Sequence, residues 1–370
     1  MRLIIQGLLA TCLYTSYRYY TGTATTALDH TTGSLTTSTA LSDGRVPISR
    51  RTVAVADLHG DLPHAINVLS MASLVSPTQS SSASHPYTWI GGHDQLVSTG
   101  DIVDRGDDTI ALYRLFQSLR NQSALVGGEV KQCLGNHEVM NALGDWRYVT
   151  RGDVDSFGGP QARRKAMSVD GWIGQDWLKG YNVTQTVSLL PANHPRLPSG
   201  YTPPKVSFVH GGITPEYAER GVDYINKIGH GFLLKALSAL NSNHTTEEEA
   251  LWSSDGPLWY RGYATDSNNM ACQNAEKASK TLGVRHLVMG HTPHMDGFVT
   301  RCDNKVLLID TGISRAYGGE QSALVIDFDL VPTKGERDGR KRWVEKETLT
   351  ALYRGRRAKV LASTETELWL

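Results

Sequence analysis

Cysteine is scarce in this chain: Cys12, Cys133, Cys272 and Cys302 are the only four among 370 residues. That number excludes a dense disulfide framework, although Cys272 and Cys302 can pair in an oxidising lumen and Cys133 reads as a small buried thiol. Charge of one sign is missing too. Lysine plus arginine and aspartate plus glutamate each number 37, so no global field draws the chain to nucleic acid or an anionic membrane. No apolar run reaches the roughly 20 residues of a bilayer span. There is no internal repeat of solenoid type, and Gly127-Gly128 and Gly158-Gly159 stand in no phosphate-loop or nucleotide pattern.

Five short polar clusters are present instead. They are Asp57-Leu58-His59-Gly60-Asp61, Gly100-Asp101-Ile102-Val103-Asp104-Arg105-Gly106, Gly135-Asn136-His137-Glu138, His210-Gly211-Gly212 and Gly290-His291-Thr292. Four of them follow β-branched or apolar runs, namely 52–56, 95–99, 205–209 and 284–289, which read as buried strands with polar loops at their C-terminal ends. Helical spacing of apolar residues follows the first two clusters, over His64 to Val75 and Asp108 to Leu119. The order strand, polar loop, helix, repeated, predicts a layered α/β architecture. Ser76 to Pro86 and Pro191 to Pro204 read as surface loops.

The clusters supply carboxylate, imidazole and amide ligands, a set that suits Mn, Fe or Zn better than an all-oxygen calcium cage. Without thiolates, a structural zinc knuckle is a poor reading. Asp57 and His59 alternate along an extended chain and, with Asp101, make one ligand set. Asp101 as a bridge, with Asn136, His210 and His291, makes a second. Two such divalent ions lie about 3.5 to 4 Å apart in known sites and neutralise a phosphoryl group, so phosphoester hydrolysis is the natural reaction. His137 beside Asn136 is the candidate general acid for the leaving group, with Asp104 fixing its tautomer. Arg105 and Arg261 are the candidate phosphate clamps. Glu138 is expected to support its loop, and Gly106, Gly211 and Gly212 to allow close backbone approach.

At these residues the chain resembles the phosphoprotein phosphatases of the metallophosphoesterase superfamily, from Asp57 to Thr292. The resemblance implies a central β-sandwich flanked by helices and direct attack by a metal-bound hydroxide without a phosphoenzyme. The chain departs from the pattern at Ala56, where the family usually has Gly. It also has Leu308-Ile309-Asp310-Thr311-Gly312 where many eukaryotic Ser/Thr phosphatases carry a Ser-Ala-Pro-Asn-Tyr loop. The stretches 137–141, 145–149 and 256–261 look more like the bacterial-like, Shewanella-like branch. That branch includes enzymes acting on phosphotyrosine as well as on phosphoserine or phosphothreonine, and the reading leans toward phosphotyrosine. Tyr148, Trp259 and Tyr260 are candidates for an aromatic pocket, with structural packing as the competing account. A phosphoserine/threonine phosphatase, a nucleotide or small-metabolite phosphoesterase, and a noncatalytic metal-stabilised binding module remain as alternatives.

The ends are read from composition. Residues 1–20 carry Arg2 and about a dozen mostly apolar positions, the outline of a signal peptide or weak anchor and the sole candidate for membrane attachment. Residues 21–48 form a Thr/Ser-rich, flexible segment, 49–330 the catalytic domain, and 331–370 a C-terminal extension with basic patches, read as a solvated face or a dock for an acidic partner. Sequons at Asn121, Asn182 and Asn243 favour the secretory or endomembrane route over a mitochondrial or cytoplasmic one. The expected partner is a phosphorylated protein or peptide, with no nucleic acid, and no oligomerisation surface stands out.

Overall fold

Alternation along the strands decides the architecture. In the first long strand, β1 (Ile48–Val55), Val53 and Val55 pack in one hydrophobic cluster with the helices, while Ile48 and Ala54 pack in another between two sheets. Side chains two apart share a face, so each strand feeds both layers. The computed structural model describes residues 43–79, 86–239 and 243–370, with Leu41 and a two-strand ladder of Thr26–Leu28 and Leu35–Thr37. The apolar stretch 1–20, with Cys12, and most of the Thr-rich segment lie outside the described residues.

After β1 come α1 (Leu62–Met71), β2 (Gln95–Ser98), α2 (Thr109–Leu125), β3 (Glu129–Cys133) and α3 (Asn136–Leu143). The short β4 (Tyr181–Asn182) closes that side of a seven-stranded sheet. A second, five-stranded sheet is built from β5 (Thr184–Ser188), β6 (Lys205–Val209), β7 (His286–Met289), β8 (Val299–Arg301) and β9 (Val306–Leu308). Three long strands end the chain: β10 (Ser322–Arg337), β11 (Arg340–Tyr353) and β12 (Lys359–Trp369). The seven-stranded order is β12-β11-β10-β1-β2-β3-β4, and the five-stranded order is β8-β9-β7-β6-β5. Val97, Val206, Phe208, Val288, Leu307, Leu324 and Ile326 fill the space between the sheets. Helices cover the outer faces, so the fold is the expected α/β sandwich.

The expected helix over His64 to Val75 stops early. Ser73 adopts a left-handed φ of 55°, and Val75 opens a strand paired with Tyr87–Trp89. Its start is set by Asp61, whose carboxylate accepts the His64 N–H at 3.2 Å. The loop expected at Ser76 to Pro86 therefore begins inside that strand, and its middle lies outside the described residues. Residues 191–204 contain neither helix nor strand.

The C-terminal end departs from its expectation as well. A boundary at residue 331 falls inside β10, which pairs antiparallel with β1 through Leu324 to Leu330. The stretch 334–342 is a strand hairpin rather than a free tail. Several of its cations are paired, Lys341 with Glu336 and Arg342 with Glu367, while Lys346 meets Glu365 farther along β11. A basic count in sequence does not show such cross-strand partners.

Cys272, in helix Asn268–Leu282, is bonded to Cys302 after β8, and Cys133 is a buried free thiol. The two sheets are also linked by polar groups. His286 of β7 contacts Glu347 of β11, and Arg285 reaches Glu347 at 2.9 Å and also pairs with Glu345. Burial raises the Glu347 pKa, but His286 and Arg285 outweigh it and hold the carboxyl below its ordinary 4.5. A depressed carboxylate stabilises the fold above its unfolded pKa, and the contribution fades as pH falls through the folded value. Glu347→Gln is expected to cost about 3 kcal/mol at pH 7. Urea unfolding should show the gap to the parent protein closing below about pH 4.5.

Candidate metal centre

Every cluster ends a strand or starts a helix at the same edge of the sandwich. Asp57 and His59 follow β1, Asp101 follows β2, Asn136 and His137 open α3, His210 follows β6 and His291 follows β7. Their backbones bend sharply there. Asp57, His59, Asp101, Asp104, Arg105 and His291 all take positive φ, between 40° and 72°. Non-glycine residues in that region cost roughly 1 to 3 kcal/mol each, and such strain collects at functional sites. The bends turn the side chains inward, where Asp57, His59, Asp101, Asn136, His137, His210 and His291 are all buried.

The loops are held in place by the side chain between them. Glu138 accepts the N–H groups of Gly135 (2.7 Å), Asp101 (2.9 Å) and Ile102 (2.9 Å), and the Tyr113 hydroxyl at 3.0 Å. One carboxylate thus ties the second cluster to the third. Close backbone approach completes the cradle: a Cβ on Gly135 would strike Asp101, and one on Gly290 would strike Asp57.

Hydrogen bonding fixes the imidazole tautomers. A carbonyl oxygen only accepts, so His59 Nδ1 donates to Val103 (3.0 Å), His210 Nδ1 donates to Thr99 (3.1 Å) and His291 Nε2 donates to Trp259 (3.2 Å). Burial drives His59 down to about 3 and His291 to about 2, which leaves both neutral. The opposite ring nitrogens of His59 and His291 are then bare lone pairs. His59 Nε2 faces Asp101 Oδ2 at 3.8 Å, and His210 Nε2 faces Asp101 Oδ2 at 3.2 Å and Asn136 Oδ1 at 2.8 Å. A bare His59 nitrogen aimed at a buried carboxylate suits a cation between them, and His210 Nε2 and Asn136 Oδ1 converge on the other side of the same carboxylate.

The carboxylates agree. Burial, with Asp310 and Asp101 nearby, pushes the Asp57 carboxyl well above its ordinary value, and burial lifts Asp310 to about 6. Burial also opposes the Asp101 charge, but His210 and His137 outweigh it and hold that carboxyl well below the usual range. Ligand atoms of His59, Asp101 and His137, and of Asp101, His210 and His291, lie within 4.8 Å of one another in each group. The two triads share Asp101, and the residues form a binuclear divalent-metal centre.

His137 falls geometrically in the first triad, beside His59, at an inter-ring distance of 4.7 Å. Its Nδ1 is bonded to Asp104 at 2.7 Å and its Nε2 lies 3.8 Å from Asp101. Burial lowers the imidazole pKa, but Asp101 and Asp104 prevail and raise it. Behind this pair sits a network that sequence reasoning missed. Fully buried Arg163 binds Asp153 (2.8 Å) and Asn141 (2.7 Å), and Asn141 in turn donates to Asp104 at 2.9 Å. Asp310 was also missed as a member of the buried carboxylate group.

Arg105 and Arg261 flank the centre. Arg261 donates to the His291 carbonyl (2.8 Å) and to Thr292 Oγ1 (2.9 Å). Arg105 lies between the rings of Tyr148 and Tyr317. Of the expected aromatic trio, Tyr148 stacks near His137 and Trp259 packs edge-on to His291. Tyr260 packs edge-on to Tyr263.

The calcineurin-like phosphoesterase model matches residues 50–295. An uncharacterized protein of Schizosaccharomyces pombe is 41% identical over 74% of this chain and 76% of its own length. Shewanella-like protein phosphatase 2 of Arabidopsis thaliana is 26% identical over 72% of each chain. A solved cold-active protein tyrosine phosphatase superposes with a TM-score of 0.60 at 25% identity, covering 84% of this chain and 78% of that one. The structure from a psychrophilic Shewanella gives 0.61 at 24% identity, over 84% and 80%.

Mn2+ added to chelator-treated protein is expected to raise Tm, with about 2.7 kcal/mol per ion at a free concentration 100 times its Kd. Gly290→Ala, which pushes Asp57 aside, should lose most of that shift and bind fewer ions per chain by elemental analysis.

Proposed function

This chain belongs to the calcineurin-like phosphoesterases, and from that membership we propose that it is a protein phosphatase acting first on phosphotyrosine. It is a metal-dependent phosphoesterase related to the Shewanella-like phosphatases. One observation carries the step to an aromatic residue on a polypeptide. A cleft of about 410 Å³ lined by Trp252, Ser254, Trp259 and Arg261 opens on the His291 side of the centre. Trp252 and Trp259 stand edge to face at 5.2 Å, presenting apolar walls to a flat ring next to a cation. A second cleft of about 610 Å³, bordered by Asp61, Arg105, Asp107 and Arg315, opens on the other side and leaves room for flanking peptide. The similarity to Shewanella-like protein phosphatases supports a phosphoprotein substrate, and that to a cold-active protein tyrosine phosphatase supports an aromatic one.

The residues divide the work. Asp57, His59 and Asp101 hold one ion, and Asp101, Asn136, His210 and His291 hold the other. Two divalent cations in this cradle, Mn or an Fe/Zn pair by the mixed ligand set, supply Lewis acidity and charge neutralisation for phosphoester hydrolysis. Arg105 and Arg261 receive the phosphoryl oxygens. His137 gives its Nε2 proton to the departing oxygen, while Asp104, steadied by Asn141 and Arg163, holds Nδ1–H and stabilises the imidazolium. An alkoxide needs that proton more than a phenoxide does.

His137→Asn is therefore expected to cut turnover of phosphoserine peptides about 10²- to 10⁴-fold and of aryl phosphates much less, with metal content retained. Trp259→Ala should raise KM for phosphotyrosine peptides several-fold while leaving phosphoserine peptides unchanged. Mn-loaded protein that prefers dinucleotides over every phosphopeptide overturns the protein substrate. Failure to cleave any phosphoester supports a binding module.

We also propose passage through the secretory route. Asn121, Asn182 and Asn243 are exposed, and Cys272 and Cys302 are placed for a disulfide. Expression of the full chain in a secretory eukaryotic cell should give species that shift on glycosidase digestion. Uniformly unglycosylated, mitochondrial or cytosolic protein sinks this placement.

A further inference from the structure

A closed collar of five planar groups surrounds one edge of the centre. The Tyr317 ring lies 5.5 Å from His59, His59 lies 4.7 Å from His137, and His137 lies 4.9 Å from Tyr148. The Arg105 guanidinium carbon is 4.4 Å from the Tyr148 ring and 4.8 Å from that of Tyr317, which closes the circuit. Among the described residues, the Arg105 side chain has no carboxylate partner, and its buried Nε makes no hydrogen bond. A half-buried arginine usually gives its N–H fork to a carboxylate. Here two ring faces hold the cation instead, and the terminal N–H groups stay free.

Both rings are fastened to the loops they serve. Arg105 N–H donates to the Tyr148 carbonyl at 3.0 Å. Tyr317 N–H donates to the Ser314 carbonyl at 3.0 Å, and Ser314 Oγ donates to the His59 carbonyl at 3.3 Å. The next residue, Arg315, donates its N–H to Asp61 at 2.7 Å. The loop bearing Tyr317 is thereby tied at two points to the first metal cluster.

We propose that Tyr317 is a positioning residue: with Tyr148, its ring grips the Arg105 guanidinium by its faces and holds the N–H fork toward the phosphoryl group. The inference rests on the reading of Arg105 as a phosphate ligand. It assigns the work to the ring and not to the phenol hydroxyl. Tyr148 contributes the opposite face but also touches the proton donor His137; Tyr317 touches His59, whose metal-holding role a metal count reads separately, so Tyr317 is the probe used.

The test uses the full-length, Mn-loaded protein with inorganic phosphate as competitive inhibitor and an aryl phosphate as substrate. Tyr317→Ala is expected to raise the phosphate Ki and the KM about tenfold, with a smaller change in kcat and two ions still bound. Tyr317→Phe should restore Ki to within about twofold, because the π face remains. In an Arg105→Ala background, Tyr317→Ala should add less than about twofold, since the group it positions is gone. If Tyr317→Ala does not fold, Tyr317→Leu fills the space without a π face and is expected to give the same loss. Equal losses in both backgrounds, no rescue by phenylalanine, or loss of metal overturns the clamp alone. An Arg105→Ala protein with unchanged phosphate Ki overturns the phosphate reading of Arg105, and the clamp with it.

Discussion

Lone pairs that face one another at the edge of the β-sandwich are the constraint on which the rest of this structure depends. His59 and His210 donate their Nδ1 protons to backbone carbonyls, and burial keeps the His59 ring neutral, so its other nitrogen only accepts. Asp101 lies in front of both. Burial denies these groups water, so a lone pair left facing a carboxylate is costly. Divalent cations do satisfy them, and binding energy of that kind is also folding energy. The centre is therefore both the active site and a joint between the two sheets, since Asp57, Asp101 and Asn136 come from one and His210 and His291 from the other.

Holding such a site open requires a stiff frame. Six of its residues sit in left-handed backbone conformations that an isolated loop would abandon. The strands behind them are packed on both faces, and Glu138 ties two of the loops together with three backbone hydrogen bonds. Arg163 plays a comparable part for the proton-transfer pair. It brings a positive charge into the interior, where Asp153 neutralises it, and it fixes Asn141 against Asp104. Removing one partner from such a group leaves a buried charge or donor unpaired, so the helices carrying Arg163 and Asp153 are bound to the site by electrostatics as well as by packing.

Much of this was legible along the chain because it is local. Asp57-Leu58-His59 follows an apolar strand and Asp101 follows another, so ligand type and placement appear within a few residues of each other, whereas the helix that Asn136 and His137 open came only with the fold. The pairing of Cys272 with Cys302 was also visible as an expectation for an oxidising lumen. Residues without a local signal were not visible. Arg163 looks like one of several surface cations in a basic helix, and Tyr317 like any loop tyrosine. The hairpin at 334–342 looked like a solvated basic extension because strand register, which a count of charges does not show, sets Lys341 opposite Glu336 and Arg342 beside Glu367. Tyr148, Trp259 and Tyr260 left pocket and packing both open in the sequence, and only the fold sets Trp259 edge-on to His291 and Tyr260 edge-on to Tyr263.

The sequence by itself determined the chemistry: the kinds of ligands, their position at strand ends, and the α/β layering that follows from the two hydrophobic periods. Those properties depend on side-chain type and short-range spacing, which a linear chain displays directly. Only the tertiary structure decided which imidazole nitrogen is bare, which carboxylate faces both triads, and which aromatic rings enclose Arg105. Each of those depends on groups brought together from distant parts of the chain, Arg105, Tyr148 and Tyr317 among them, by the packing of two sheets whose register no local pattern encodes.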